Sequence, residues 1–204
     1  MFADDLKIFG KIKTIDDCIA LQRDLDSLFE WCQRNKLDLS IEKCSIMAFS
    51  NKSVPTPCDY NIGGVALKKV EIVKDLGITY DSKLKFDKHI DGMITNCTRT
   101  LGFIMRVSKQ FDDITCLKTL YMSLVRSKIE YASVIWSQFS STHTDRIEKV
   151  QRKFTRYLYF KMRVPRSEYD TRLSHIELEK LETRRNFSGM SHLYRLSETA
   201  MTHS

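Results

Sequence analysis

The hydrophobic pattern of this chain changes period part-way along, near residue 85, and that change limits the folds open to it. From Phe86 onward, apolar residues recur every three or four positions. Phe86, Ile90, Ile94, Cys97, Leu101 and Ile104 form one such stripe, and Ile114, Leu117, Tyr121, Leu124 and Val125 form a second. A third predicted helix runs from about Thr144 to Phe160. Ser174 with Glu177 reads as a capping box opening a last helix through Leu178 and Leu181. Before residue 85 the signals are mixed. Leu6–Phe9, Ile41–Phe49 and Val70–Tyr80 read as strands, while Pro55 and Pro57 mark a loop. Gly63-Gly64 suits the positive φ angles of a tight hairpin turn between Tyr60 and Leu67. Thr14 with Asp17 forms a capping box ahead of Cys18, Leu21, Leu25, Leu28, Phe29 and Cys32, which predicts an amphipathic helix ending near Asn35. The expected architecture is α+β, with residues 1–85 forming a small sheet-and-helix unit and residues 86–204 a helical bundle.

Charge follows the same division. Residues 1–85 hold 13 Lys and Arg against 13 Asp and Glu, whereas residues 86–204 hold 20 against 13, so the net +7 lies wholly in the helical part. Such asymmetry points to a polyanion, most simply nucleic acid. No apolar run approaches the length of a membrane span and no signal peptide opens the sequence, so the expectation is an intracellular protein without a membrane partner. The six cysteines form no Cys-x-x-Cys pair and the histidines show no ligand spacing beside them. That argues against zinc and predicts reduced thiols, with Cys18 and Cys32 acting as small hydrophobes on a helix.

Two places carry candidate chemistry. Phe2-Ala3-Asp4-Asp5 sets two carboxylates side by side, hard oxygen donors suited to divalent metal, although an exposed acidic turn would read the same. In the third helix, Arg146, Lys149, Arg152, Lys153 and Arg156 share an arc of about 120° at 100° per residue, and Lys161, Arg163 and Arg166 extend the charge. Glu148 is the sole acid from 146 to 166. Phosphate contact would explain that stripe, and a solvated helix face is the alternative. Tyr157, Tyr159 and Phe160, interleaved with it, are expected in the core.

Several segments in order resemble the reverse transcriptases of non-LTR (LINE-type) retrotransposons. They are the aspartate pair, Leu28–Leu37 with Glu42-Lys43-Cys44, Tyr60–Gly64, Val73–Asp81, Leu101–Ile104, Leu117–Ser127, Tyr131–Trp136, Ile147–Phe154 and Leu181–Arg185. The resemblance implies a partial palm, a short antiparallel sheet with a helix, followed by an α-helical thumb bundle. It implies that Asp4 and Asp5 bind Mg2+, that Lys43 lies near the departing pyrophosphate, and that Leu76 and Gly77 support the primer as part of a primer grip. A solvated lysine and a strand bend are the bland readings of those last two places. Ser40 stands where the family usually has asparagine. The family also uses a further aspartate on an earlier strand and a fingers region, and only Met1 precedes this turn. The expectation is therefore a fragment of an RNA-directed DNA polymerase, inactive alone. In its intact parent it would perform two-metal nucleotidyl transfer on an RNA template and DNA primer, in nucleus and cytoplasm. The alternative is a non-catalytic RNA- or DNA-binding protein derived from a retroelement. A partial palm would also leave a sheet edge exposed, open to self-association.

Overall fold

The computed structural model describes residues 6–50, 58–137 and 141–202, and the chain divides into two compact units. The first is residues 1–75 with 80–84; the second is residues 76–79 with 85–204.

In the first unit, α1 spans Ile15–Arg34. The Thr14 side chain accepts from the Asp17 amide, and the Asp17 carboxylate accepts from the amides of Lys13 and Thr14 at 2.7 and 2.8 Å. Those two bonds hold the Asp17 carboxyl below its ordinary range. One face of α1 buries Cys18 and Leu25 with Tyr60 and Ile62, flanked by Leu21, Phe29, Ile46 and Leu67. The hairpin of β2 (Asn61–Ile62) and β3 (Val65–Ala66) turns through Gly63 and Gly64 at φ 57° and 81°. A Cβ on Gly63 would stand 2.6 Å from Phe29 Cζ, so the position needs glycine for space as well as angle. The outer edge of β2 is met by a side chain. Gln22 accepts from the Asn61 amide and donates to the Asn61 carbonyl, both at 3.0 Å.

Three strand expectations change. Leu6–Phe9 forms no strand, and Phe9 is 92% exposed. Ile41–Phe49 reduces to β1 (Ser45–Ile46), because residues 41–43 close a 3-10 turn with Lys43 N–H donating to Ser40. β1 runs parallel to β4 (Lys68–Lys69). Val70–Tyr80 is two strands, β5 (Ile72–Asp75) and β6 (Ile78–Asp81), paired across a reversal at Leu76 and Gly77 with φ 44° and 83°. The loop containing Pro55 and Pro57 lies outside the described residues. The thiol expectation also fails at one place: Cys18 and Cys58 form a disulfide, while Cys32, Cys44, Cys97 and Cys116 are free.

The second unit is helical. Its elements are α2 (Asp87–Val107), α3 (Ile114–Tyr121), a π turn over Met122–Arg126, α4 (Ser127–Glu130), α5 (Ser133–Trp136), α6 (Ser141–Lys161), α7 (Tyr169–His175) and α8 (Leu181–Thr202). Leu117, Tyr121, Val125 and Ile129 are all at most 1% exposed. Positions four apart drift by about 40° per step on an α-helix. The extra residue of the π turn absorbs that drift and turns Leu124, expected in the core, outward. Tyr121 stacks on Phe154 with centroids 4.0 Å apart, and Leu101, Leu158 and Leu181 of the same unit are fully buried. Each buried aliphatic side chain of this kind contributes about 1.5–3 kcal/mol.

The Ser174–Glu177 capping box does not form. Ser174 lies in the last turn of α7 and donates to the Asp170 carbonyl, and Glu177 takes φ 52°. Glu177 N–H donates to Ser174 O and Leu178 N–H to Leu173 O, the paired bonds of a Schellman helix end with Leu173 and Leu178 both buried. A Ser-x-x-Glu string at a helix end thus serves to stop one helix rather than start another. Among the described residues no helix is long and apolar enough to cross a membrane.

Candidate nucleic-acid interface

α2 and α6 lie side by side and run in the same direction. Contacts climb both helices together: Asp87 with His143 at 2.8 Å, Asp91 with Arg146, Met105 O with the Tyr157 hydroxyl at 3.2 Å. Ser108 adds a hydrogen bond to the same hydroxyl at 2.8 Å. At the far end Lys161, its side chain 8% exposed, donates to the carbonyls of Lys109 and Phe111 and to the Asp112 carboxylate. The Lys161 ammonium beside Asp112 holds that carboxyl below its ordinary range.

These contacts sort the eight cations of the predicted stripe. Arg146 pairs with Asp91, Lys161 fastens the segment that follows α2, and Arg152 is half-buried with its guanidinium 5.1 Å from the centre of the Tyr169 ring. Lys149, Lys153, Arg156, Arg163 and Arg166 are exposed. On α6, Lys149, Lys153 and Arg156 are joined by Phe160, and the four share an arc of about 60° at 100° per residue. Phe160 is 77% exposed, contrary to the expected core position, whereas Tyr157 and Tyr159 turn inward and hydrogen-bond. The stripe is about 16 Å long at 1.5 Å per residue.

The arginines of α2 complete this surface, and the stripe of α6 alone gives no hint of them. Ile90, Cys97 and Ile104 mark the core face of α2, and Asp87, Asp91 and Met105 mark the side against α6. Exposed Arg99 and Arg106, seven residues apart, lie on the outer side of α2. Because the two helices are parallel and share one core side, their outer sides look the same way. Cations from two helices with axes about 8–10 Å apart therefore border one solvent-facing groove. The i, i+7 spacing of Arg99 and Arg106 on a polar face was the available sequence signal. Only the pairing of α2 with α6 gives it meaning.

Glu148 faces away from this groove. At 4% exposure it accepts hydrogen bonds from the Tyr169 hydroxyl, from Gln151 and from the Leu181 amide at the start of α8. Burial and the adjoining carboxylate of Glu148 raise the Tyr169 hydroxyl pKa, and burial lowers that of Arg185, which Glu148 opposes. The one acid between residues 146 and 166 is thus a buried cap for another helix, which leaves the exposed stripe with three cations, Phe160 and no acid.

The other predicted positions are dispersed. Lys43 is exposed on the 3-10 turn of the first unit. Leu76 and Gly77 form the hairpin tip that groups with the second unit, where the Tyr131 hydroxyl donates to Leu76 O at 2.9 Å and the Thr79 amide donates to His89 Nδ1. Asp4 and Asp5 lie outside the described residues. Among the described residues no three His, Cys, Asp or Glu side chains cluster as a metal site.

Over 160 residues the chain is 26% identical to the RNA-directed DNA polymerase from mobile element jockey of Drosophila melanogaster, a match covering 76% of this chain and 17% of that protein. Its relatives are mobile-element reverse transcriptases. The jockey polymerase of Drosophila funebris matches at the same identity and coverage. The probable RNA-directed DNA polymerase from transposon BS of Drosophila melanogaster is 24% identical over 159 residues, covering 76% of this chain and 18% of that protein. The chain spans less than a fifth of the length of the curated relatives it matches. No family profile matches it, and no solved structure does.

Proposed function

We propose that this chain is the palm-to-thumb portion of an RNA-directed DNA polymerase of a non-LTR retrotransposon. Residues 1–85 are the palm portion and residues 86–204 the thumb and the region beyond it. The observation that carries this reading is similarity to polymerases of that activity over three quarters of the chain. In the whole polymerase, Asp4 and Asp5 hold Mg2+ through hard carboxylate oxygens, the donor type that ion prefers. Mg2+ held there would supply stabilisation of the charge that develops in nucleotidyl transfer. Lys43 offsets triphosphate charge, and Leu76 and Gly77 support the primer. The groove between α2 and α6 holds the RNA template and DNA primer through their phosphates, a sequence-independent contact. The exposed apolar Phe9, Trp31 and Phe49 of the palm portion support self-association when it stands alone.

The test is primer extension. The purified chain with Mg2+, deoxynucleotides, RNA template and DNA primer should bind the hybrid with steep salt dependence and extend nothing. Template-dependent extension lost on Asp4→Ala would overturn inactivity of the chain alone. Failure to bind the hybrid at low salt would overturn the nucleic-acid role. The second reading, a non-catalytic nucleic-acid-binding protein, is favoured by one specific observation: the cationic groove is formed within the helical unit and needs neither aspartate. Coding sequence upstream for fingers and the further aspartate would decide for the polymerase.

A further inference from the structure

We propose that Phe160 is a base-stacking platform, and that the groove between α2 and α6 takes a single strand of nucleic acid rather than a duplex alone. The proposal rests on the nucleic-acid reading above and adds a residue and a strandedness to it. Phe160 is 77% exposed, the highest exposure of any Phe, Tyr or Trp ring among the described residues of the second unit, at the end of a stripe otherwise made of cations. Its neighbours have reasons to be aromatic that it lacks. Tyr157 hydrogen-bonds Met105 O and Ser108, Tyr159 hydrogen-bonds His175 edge-on, and Phe154 stacks on Tyr121.

A bare phenyl ring in water is unfavourable unless something covers it, and the chemistry around this one selects the cover. Lys153 and Arg156 precede it by seven and four residues, one or two turns along the same face, and Arg163 follows with Val164 beside it. An apolar protein partner would leave those cations unpaired. A polyanion with flat apolar faces satisfies both, its phosphates lying along Lys149, Lys153 and Arg156 and a base on Phe160. Bases in a duplex present only their edges, so stacking on Phe160 requires an unpaired base. Single-strand binders combine a positive groove with an exposed aromatic in this way, and the stacking carries little base preference.

Fluorescence anisotropy of the full chain with a labelled oligo(dT) and with a duplex of equal length, across about 50–200 mM salt, separates the parts. Phe160→Ala should weaken oligo(dT) binding by about tenfold or more while duplex affinity and the salt slope stay as they were. Phe160→Trp should restore it, and circular dichroism of both variants checks that α6 is intact. Equal loss on both ligands, or no loss on oligo(dT), overturns the stacking role while leaving the basic groove standing. Absence of binding to either ligand by the unaltered chain at low salt overturns the nucleic-acid reading itself, and the stacking role with it.

Discussion

Removing the Glu148 carboxylate should loosen the helical unit from a point with no part in the exposed groove. Glu148 is 4% exposed and takes the Leu181 amide, the Tyr169 hydroxyl and the Gln151 amide. Hydrogen bonds to a charged acceptor contribute about 1.5–3 kcal/mol each. Alanine would delete them, leave a donor at the start of α8 without its acceptor, and take from the buried Arg185 the largest of its opposing charges, with Glu182 and Glu130 remaining. Relief of the carboxylate's own desolvation offsets part of that loss. Breaking one side of such a buried set costs about 3–5 kcal/mol. Against a domain stability of about 5–15 kcal/mol, Glu148→Ala should cost about a fifth of the total or more. Glu148→Gln keeps the shape and one carbonyl acceptor for the Leu181 amide, so about 1–2 kcal/mol is expected. Denaturant unfolding in a Trp31→Phe background follows Trp136, 1% exposed in the same unit, and hydrogen exchange at the Leu181 amide reports the cap directly. A Glu148→Ala chain within about 0.5 kcal/mol of the parent, with that amide still protected, would refute the reasoning.

The hairpin glycines should separate in cost. Gly63→Ala meets Phe29 as well as a positive φ and should destabilise the first unit by at least about 1 kcal/mol more than Gly64→Ala, which meets open space. Exchange at the Leu67 amide, bonded to Tyr60 O, reads both variants, and equal costs would count against the clash. His89 gives a pH dependence. Its Nδ1 accepts from the Thr79 amide, and burial holds its pKa below the ordinary value. A histidine lowered by folding leaves stability intact above its unfolded pKa of about 6.5 and removes it as pH falls through that value towards the folded one. Stability should therefore drop below about pH 6.5, less so in His89→Asn, whose amide oxygen can accept the same bond uncharged; identical pH profiles would rule out this histidine as the cause.

Local signals were legible in the sequence wherever neighbours along the chain settle the structure. The Thr14 capping box, the Gly63-Gly64 turn and the apolar stripes of α2 and α6 all form, because helix caps, tight turns and amphipathic faces are decided within a few residues. The strands depart from the sequence pattern for the opposite reason. Val70–Tyr80 is continuous apolar-rich chain, yet it reverses at Leu76-Gly77, where the Tyr131 hydroxyl holds the Leu76 carbonyl from 55 residues away. Ser174 and Glu177 likewise carry the spacing of a helix start, and the backbone bonds of Glu177 and Leu178 back to Ser174 and Leu173, with both leucines buried, make them a helix end.

The basic segment divides the same way. Composition and period alone placed Lys149, Lys153 and Arg156 on one face of a helix, since charge and angle per residue are properties of the chain itself. Which cations remain available was a tertiary matter. Asp91 occupies Arg146, the carbonyls behind α2 occupy Lys161, and Tyr169 lies beneath Arg152. Arg99 and Arg106 join the groove only because α2 lies parallel to α6, and Phe160 is bare because the core closes around Tyr157 and Tyr159 before reaching it. A helix's own sequence fixes the angles between its residues, but which of those angles faces core, neighbour or solvent depends on what packs beside it.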